Sequence, residues 1–152
     1  VRPYLAGGGK QGQQHALAPT TTDFETQSID EMRQALRDGR KLLKQDTKAG
    51  YSSALTLFQK ALMLSRMVGD MVQVRRAVRG LSASKRGVGD REGAIADLKE
   101  VLEISRAMIN KDNTGDMDAL GTIADLYTEL GDLENAGRYY DLYLNALNEE
   151  YN

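Results

Sequence analysis

The stretch "GDLENAGRYYDLYLNAL", residues 131–147, decides the fold, because the layout of "GDREGAIADLKEVLEI", residues 89–104, is the same. With Gly89 aligned on Gly131, an Asp follows each (Asp90, Asp132). An alanine comes five residues after each glycine (Ala94, Ala136), and a large side chain four later (Leu98, Tyr140). Upstream, Leu81 and Ile123 sit eight residues before the glycine, and Ser82 and Ala124 seven before. A fainter third copy carries Ala54, Phe58 and Ala61, with Tyr51 before them and Gly39 on the preceding helix. Its turn reads as about three residues longer.

Each copy reads as helix–turn–helix. Apolar residues such as Leu42, Leu43, Leu55, Phe58 and Leu62 recur with helical rather than alternating spacing. Glycines 50, 89 and 131 fall where a left-handed residue would end a helix. "NKDNTGD", residues 110–116, marks the break between the second and third copies. The spacing predicts helices over 28–45, 51–68, 71–87, 91–109, 116–130 and 133–149. Pro stands only at 3 and 19, so none of these is interrupted. The repeated alanine has a mechanical reason. At the closest approach of two antiparallel helices, a side chain larger than a methyl forces them apart. Ala94 and Ala136 are therefore expected inside and Ala96 outside. Tyr140 is expected at a core position, and Met63, Met67, Met71 and Met108 as core gap-fillers.

Composition agrees with thin helical layers. Hydrophobic residues make up 41% and aromatics 6%, with no Trp. Mean hydropathy is −0.49. Net charge is −2 and the pI near 5.5, which argues against nucleic acid as the partner. There is no Cys, which removes disulfides, Cys-based zinc sites and thiol nucleophiles. No run approaches the roughly 18 apolar residues of a membrane span. The first residue is Val rather than Met, which predicts a piece of a longer protein. Residues 1–27, rich in Gly, Gln and Thr, read as a disordered linker, and 28–152 as the helical domain. "GGGK" within that linker lacks the spacing and the Ser or Thr of a phosphate loop.

Catalytic groups are scarce. His15, in the linker, is the single histidine, so the serines of the helical part have no histidine base. Asn110, Asp112, Thr114 and Gly115 imitate the start of a calcium loop. Its twelfth position is Gly121 rather than a bidentate Glu, which makes an inter-repeat turn the expected reading. No cofactor is expected.

Helix–turn–helix units with the pattern "LS…GD…A…L" and "IA…Y…GD…A…Y" resemble the tetratricopeptide repeat (TPR). The period here, 40 and 42 residues between the alanines Ala54, Ala94 and Ala136, is longer than usual, and the opening Trp and closing Pro are missing. The expected architecture is an all-α, short TPR-type helical solenoid of three antiparallel helix pairs. The first helices of such units line a concave groove. The inward positions are Arg33, Arg37, Arg40 and Lys44 in the first unit and Arg76, Arg79, Ala83 and Arg86 in the second. In the third they are Asp118, Thr122, Asp125 and Glu129. A basic wall over two units would thus meet an acidic one, a segregation that can steer a charged partner.

"RGLSAS" (79–84) and "GTIADLYTELGDLENAGRYYDLY" (121–143) are closer still to one family. Thr128, Glu129, Asn135, Gly137 and Asp141 are not dictated by a generic repeat. Over about residues 30–148 the chain is similar to the FLU-like proteins. The resemblance implies a non-enzymatic negative regulator of tetrapyrrole and chlorophyll synthesis. It implies binding to glutamyl-tRNA reductase through the TPR domain, repressing 5-aminolevulinate formation, in a membrane complex with other chlorophyll-synthesis enzymes. It also implies a chloroplast thylakoid location, through an upstream membrane segment and a coiled-coil stretch that this sequence does not contain. The alternative is a generic TPR scaffold for another complex.

Overall fold

The computed structural model describes residues 17–152, and six helices occupy them. They are α1 (Thr21–Lys44), α2 (Lys48–Val68), α3 (Met71–Gly87), α4 (Arg91–Ala107), α5 (Asp116–Glu129) and α6 (Leu133–Tyr151). Each helix packs against the next, and α1 also touches α3. The result is three helix pairs stacked in chain order, the expected all-α solenoid, with no strand among the described residues.

The Gly-Asp pairs carry the turns. Gly69, Gly89 and Gly131 take φ of +83°, +94° and +80°, which lets the chain leave each helix left-handed. The Asp that follows closes the old helix and opens the new one. Its N–H donates back to a carbonyl five residues earlier: Asp70 to Ser65, Asp90 to Lys85, Asp132 to Tyr127. Its carboxylate then accepts from the first turn of the next helix, at 2.9 Å for Gly93 N and 3.1 Å for Asn135 N.

The first pair departs from the expected turn. Gly50 does not end a helix; it is buried in the first turn of α2, its N–H held by Thr47 Oγ1 at 3.0 Å. The left-handed residue is Asp46, at φ 53°. The turn spans 45–47, as long as 88–90 and 130–132. The three residues that seemed to lengthen it form an extra turn at the start of α2.

Helix α1 begins at Thr21, so residues 21–27 of the expected linker are helical. Residues 1–16 of that linker, with His15 and "GGGK", lie outside the described residues. Thr20 and Asp23 form a reciprocal capping box, Thr20 Oγ1 accepting from Asp23 N at 3.0 Å and Asp23 Oδ2 from Thr20 N at 3.1 Å. Residues 21–27 are all exposed. They bury nothing and stay helical as the capped continuation of a helix that packs from Ile29 onward, since extending a helix is easier than nucleating one.

Ala54 and Ala94 are fully buried and Ala136 nearly so, whereas Ala96 is exposed. Phe58 shows how the large residue works. Its ring lies against the bare Cα of Gly39 on α1 and Gly80 on α3, so one side chain joins three helices. Burying it contributes about 2–3 kcal/mol. The methionine expectation is corrected: Met108 is buried, but Met63, Met67 and Met71 are 56%, 69% and 47% exposed. These three lie on exposed positions of α2 and at the start of α3, while the buried methionines are Met32 and Met108. Tyr140 is corrected too, at 37% exposed, because no further helix among the described residues covers α6. No described helix is long and apolar enough to cross a membrane.

Candidate interaction groove

The first helices α1, α3 and α5 carry the residues expected to face inward, and the structure distributes them among separate clefts. Arg40 and Leu43 of α1, Arg76, Arg79 and Gly80 of α3, and Phe58 of α2 line a cleft of about 320 Å³. Its floor is the Phe58 ring over Gly80, and its rim is basic. Arg76 is exposed and donates to Gln73 of its own helix, at 3.3 Å. A second cleft of about 500 Å³ lies between α3 and α5, and Arg79, Arg86, Asp118 and Thr122 share it with Tyr51 and Leu98. Arg33 and Arg37 sit apart, in a shallow depression with Asp30, Glu31 and Gln34, and Arg37 donates to Gln34 at 2.7 Å. Lys44 is exposed and lines none of these clefts.

Not every basic residue is available to a partner. Arg86 pairs with Glu129, whose other oxygen accepts from Arg91 Nε at 2.9 Å. These two arginines hold the Glu129 carboxyl below its ordinary range, Arg91 contributing most. The expected basic and acidic walls therefore meet and neutralise each other at one point. Arg79 donates to the Thr114 carbonyl and lies 3.8 Å from Asp116 Oδ1. Its guanidinium rests on the bare Cα of Gly115, where a Cβ would lie 2.7 Å from Nη2. Burial, then the neighbouring Arg75, lowers its affinity for the proton. Asp125 accepts from the Tyr140 hydroxyl at 2.6 Å. The exposed charge that remains in the clefts is chiefly Arg40 and Arg76 at one end and Asp118 at the other.

The sequence reading missed Arg75. It points away from the groove and is 2% exposed, yet its guanidinium organises the loop between the second and third units. Nη1 donates to the Asp112 carbonyl at 2.6 Å and to Ser105 Oγ at 2.9 Å, and Nη2 to Asp112 Oδ2 at 2.9 Å. Ser105 Oγ in turn donates to Asp116 Oδ1 at 2.7 Å. A signal was present: an arginine in the apolar register of α3, one after Val74. Asp112 Oδ1 is taken by Thr114, through N at 3.0 Å and Oγ1 at 2.6 Å. These bonds hold the Asp112 carboxyl down at about 2, Thr114 contributing more than Arg75. Both oxygens of this carboxylate are thus engaged in holding the loop, as expected of an inter-repeat turn. Among the described residues no three His, Cys, Asp or Glu side chains gather as metal ligands.

Three helix pairs stacked in chain order, with clefts between their first helices, define a TPR domain, a module for binding other proteins. No protein-family model matches the chain. Over 94 residues, 62% of this chain, it is 43% identical to Protein FLUORESCENT IN BLUE LIGHT, chloroplastic, of Arabidopsis thaliana, and the match spans 29% of that protein. The crystal structure of the TPR domain of Arabidopsis FLU superposes with a TM-score of 0.74 at 36% identity, covering 80% of this chain and 98% of that one. The chain belongs to the FLU-like family.

Proposed function

We propose that this domain is a non-catalytic regulatory adaptor that binds glutamyl-tRNA reductase in its TPR groove and represses 5-aminolevulinate and chlorophyll synthesis. The reading rests on the FLU-like family and is supported above all by the cleft between α1 and α3. Arg40 and Arg76 stand there as exposed cations beside the apolar floor of Phe58 and Gly80. Such a cleft suits a helical segment with an apolar side chain and a carboxylate close together, the side chain covering the floor and the carboxylate meeting the rim. The acidic residues near α5 would orient the segment, since the wrong polarity would place its carboxylate against Asp118. The place of action would be the chloroplast thylakoid membrane, where other chlorophyll-synthesis enzymes would share the complex.

The test is the turnover of purified glutamyl-tRNA reductase titrated with this domain. The reading predicts a saturable fall in turnover and no turnover by the domain alone. Undiminished turnover together with absent binding would leave a TPR scaffold for a different complex.

A further inference from the structure

Helix α6 carries a second surface, away from the groove. Leu133, Gly137, Tyr140, Leu144, Leu147 and Tyr151 follow one another at intervals of four and three, which places them on one face of the helix. Leu133, Tyr140, Leu144 and Tyr151 are 71%, 37%, 52% and 78% exposed. The repeat register shows what this face is. Leu133, Tyr140, Leu144 and Leu147 stand where α2 has Tyr51, Phe58, Leu62 and Ser65. In α2 that face is covered by α3, with Tyr51 against Gly87 and Phe58 against Gly80. Among the described residues nothing covers its counterpart on α6.

Charge selects the occupant. Residues 116–152 contain nine carboxylates and a single basic residue, Arg138. Glu134 and Asp141 are exposed beside the apolar face, and Asp125 is tied to it through the Tyr140 hydroxyl. Two such ends would repel each other, which disfavours a two-fold pairing of copies. Head-to-tail stacking lacks an apolar counter-face: α1 has Glu31, Gln34, Arg37 and Asp38 where α3 has Val74, Ala77, Gly80 and Leu81. Gly137 is a further mark. A Cβ there would meet nothing within 4 Å among the described residues, so none of them calls for a residue that weakens an exposed helix.

We propose that this face of α6 docks a basic amphipathic helix of a partner protein, which completes the solenoid as the first helix of a fourth unit. The docked helix carries lysine or arginine at its flanks. Small residues one heptad apart, as Gly80 and Gly87 are on α3, lie over Tyr140 and Leu133.

The probe is a synthetic peptide with the sequence of residues 71–87, which has both glycines, five basic residues and no carboxylate. Its control has glutamate at those five positions. Each is titrated into isotope-labelled protein, read by amide chemical shifts and by anisotropy of a labelled peptide. The expected result is saturable binding of the basic peptide, with shifts confined to α5 and α6. The glutamate peptide and the Leu144→Lys protein should each bind at least about tenfold more weakly. A Glu134→Lys/Asp141→Lys protein should lose affinity for the basic peptide while its thermal melt stays intact. Four results would overturn the proposal: no binding of the basic peptide, equal binding of both peptides, shifts centred on α1–α3, or self-association of the protein that Leu144→Lys abolishes. The last would make a second copy the occupant.

Discussion

Arg75 Nη2 lies 2.9 Å from Asp112 Oδ2, and this pair fastens the loop between the second and third helix pairs to the middle of the solenoid. Arg75 is enclosed, while Asp112 keeps 28% of its side-chain surface in water. The arginine thus bears the cost of burial, and the loop supplies its partners. Replacing Arg75 by Met leaves the Asp112 carbonyl and Ser105 without their donor. Leaving these buried acceptors unpaired should cost about 2 kcal/mol or more. At roughly 4 °C per kcal/mol the melting temperature should fall by about 8 °C or more in calorimetry. An unchanged melt would show that the loop holds itself.

The bonds that Asp112 accepts from Thr114, and then from Arg75, set an acid limb. The Asp112 carboxyl is held at about 2 in the folded chain, against 3.8 ordinarily. A depressed folded value means that the unfolded chain binds the proton more readily. The stabilisation is therefore complete above about pH 4 and is lost as pH falls toward 2. Urea melts of Asp112→Asn over this window should show a shallower loss of stability than wild type. Parallel curves would contradict the assignment.

Two glycines should respond with opposite sign. At Gly80 an added Cβ would lie 2.3 Å from the Phe58 ring, which is enclosed and cannot retreat. Gly80→Ala should cost about 1–3 kcal/mol. At Gly137 nothing is near, so Gly137→Ala should add about 0.5–1 kcal/mol through helix propensity alone. Chemical denaturation of the two variants decides, and a loss at Gly137 would point to a contact within the domain.

The repeated alanines test the register. Ala94→Leu should destabilise by about 1–3 kcal/mol through overpacking, and Ala136→Leu in the same direction. Exposed Ala96→Leu should stay within about 0.5 kcal/mol of wild type. Equal effects in urea melts would place the helix contacts elsewhere.

The legible part of the fold was what the repeat writes into side-chain type. Gly-Asp turns, the alanines and the large residue four later located five of the six helices to within two or three residues at each end. Helix α1 was cut short because residues 21–27 bury nothing. Their helicity comes from the Thr20–Asp23 cap, which a count of apolar residues does not see. The first turn departs from its sequence reading because a non-glycine, Asp46, rather than Gly50, adopts the left-handed conformation. For the groove, helical spacing selected residues on the first helices, of which Arg33 and Arg37 sit apart and Lys44 lines none of the clefts, and it did not show their partners. Arg86 with Glu129, and Arg79 with the Thr114 carbonyl, are contacts between different units, separated by 43 and 35 residues. Nothing in the local pattern announces them.

The central claim is that the cleft between α1 and α3 captures the reductase. Among the described residues Arg40 and Arg76 are the cleft cations without an ion pair, so reversing them leaves the Arg86–Glu129 and Arg79–Asp116 contacts intact. The measurement is isothermal titration of glutamyl-tRNA reductase with wild type and with Arg40→Glu/Arg76→Glu, at low and high salt. The account predicts binding by wild type that weakens with salt, and an affinity lower by at least about tenfold in the double variant. Wild-type binding with equal affinity in the double variant would contradict it and move the interaction off this cleft.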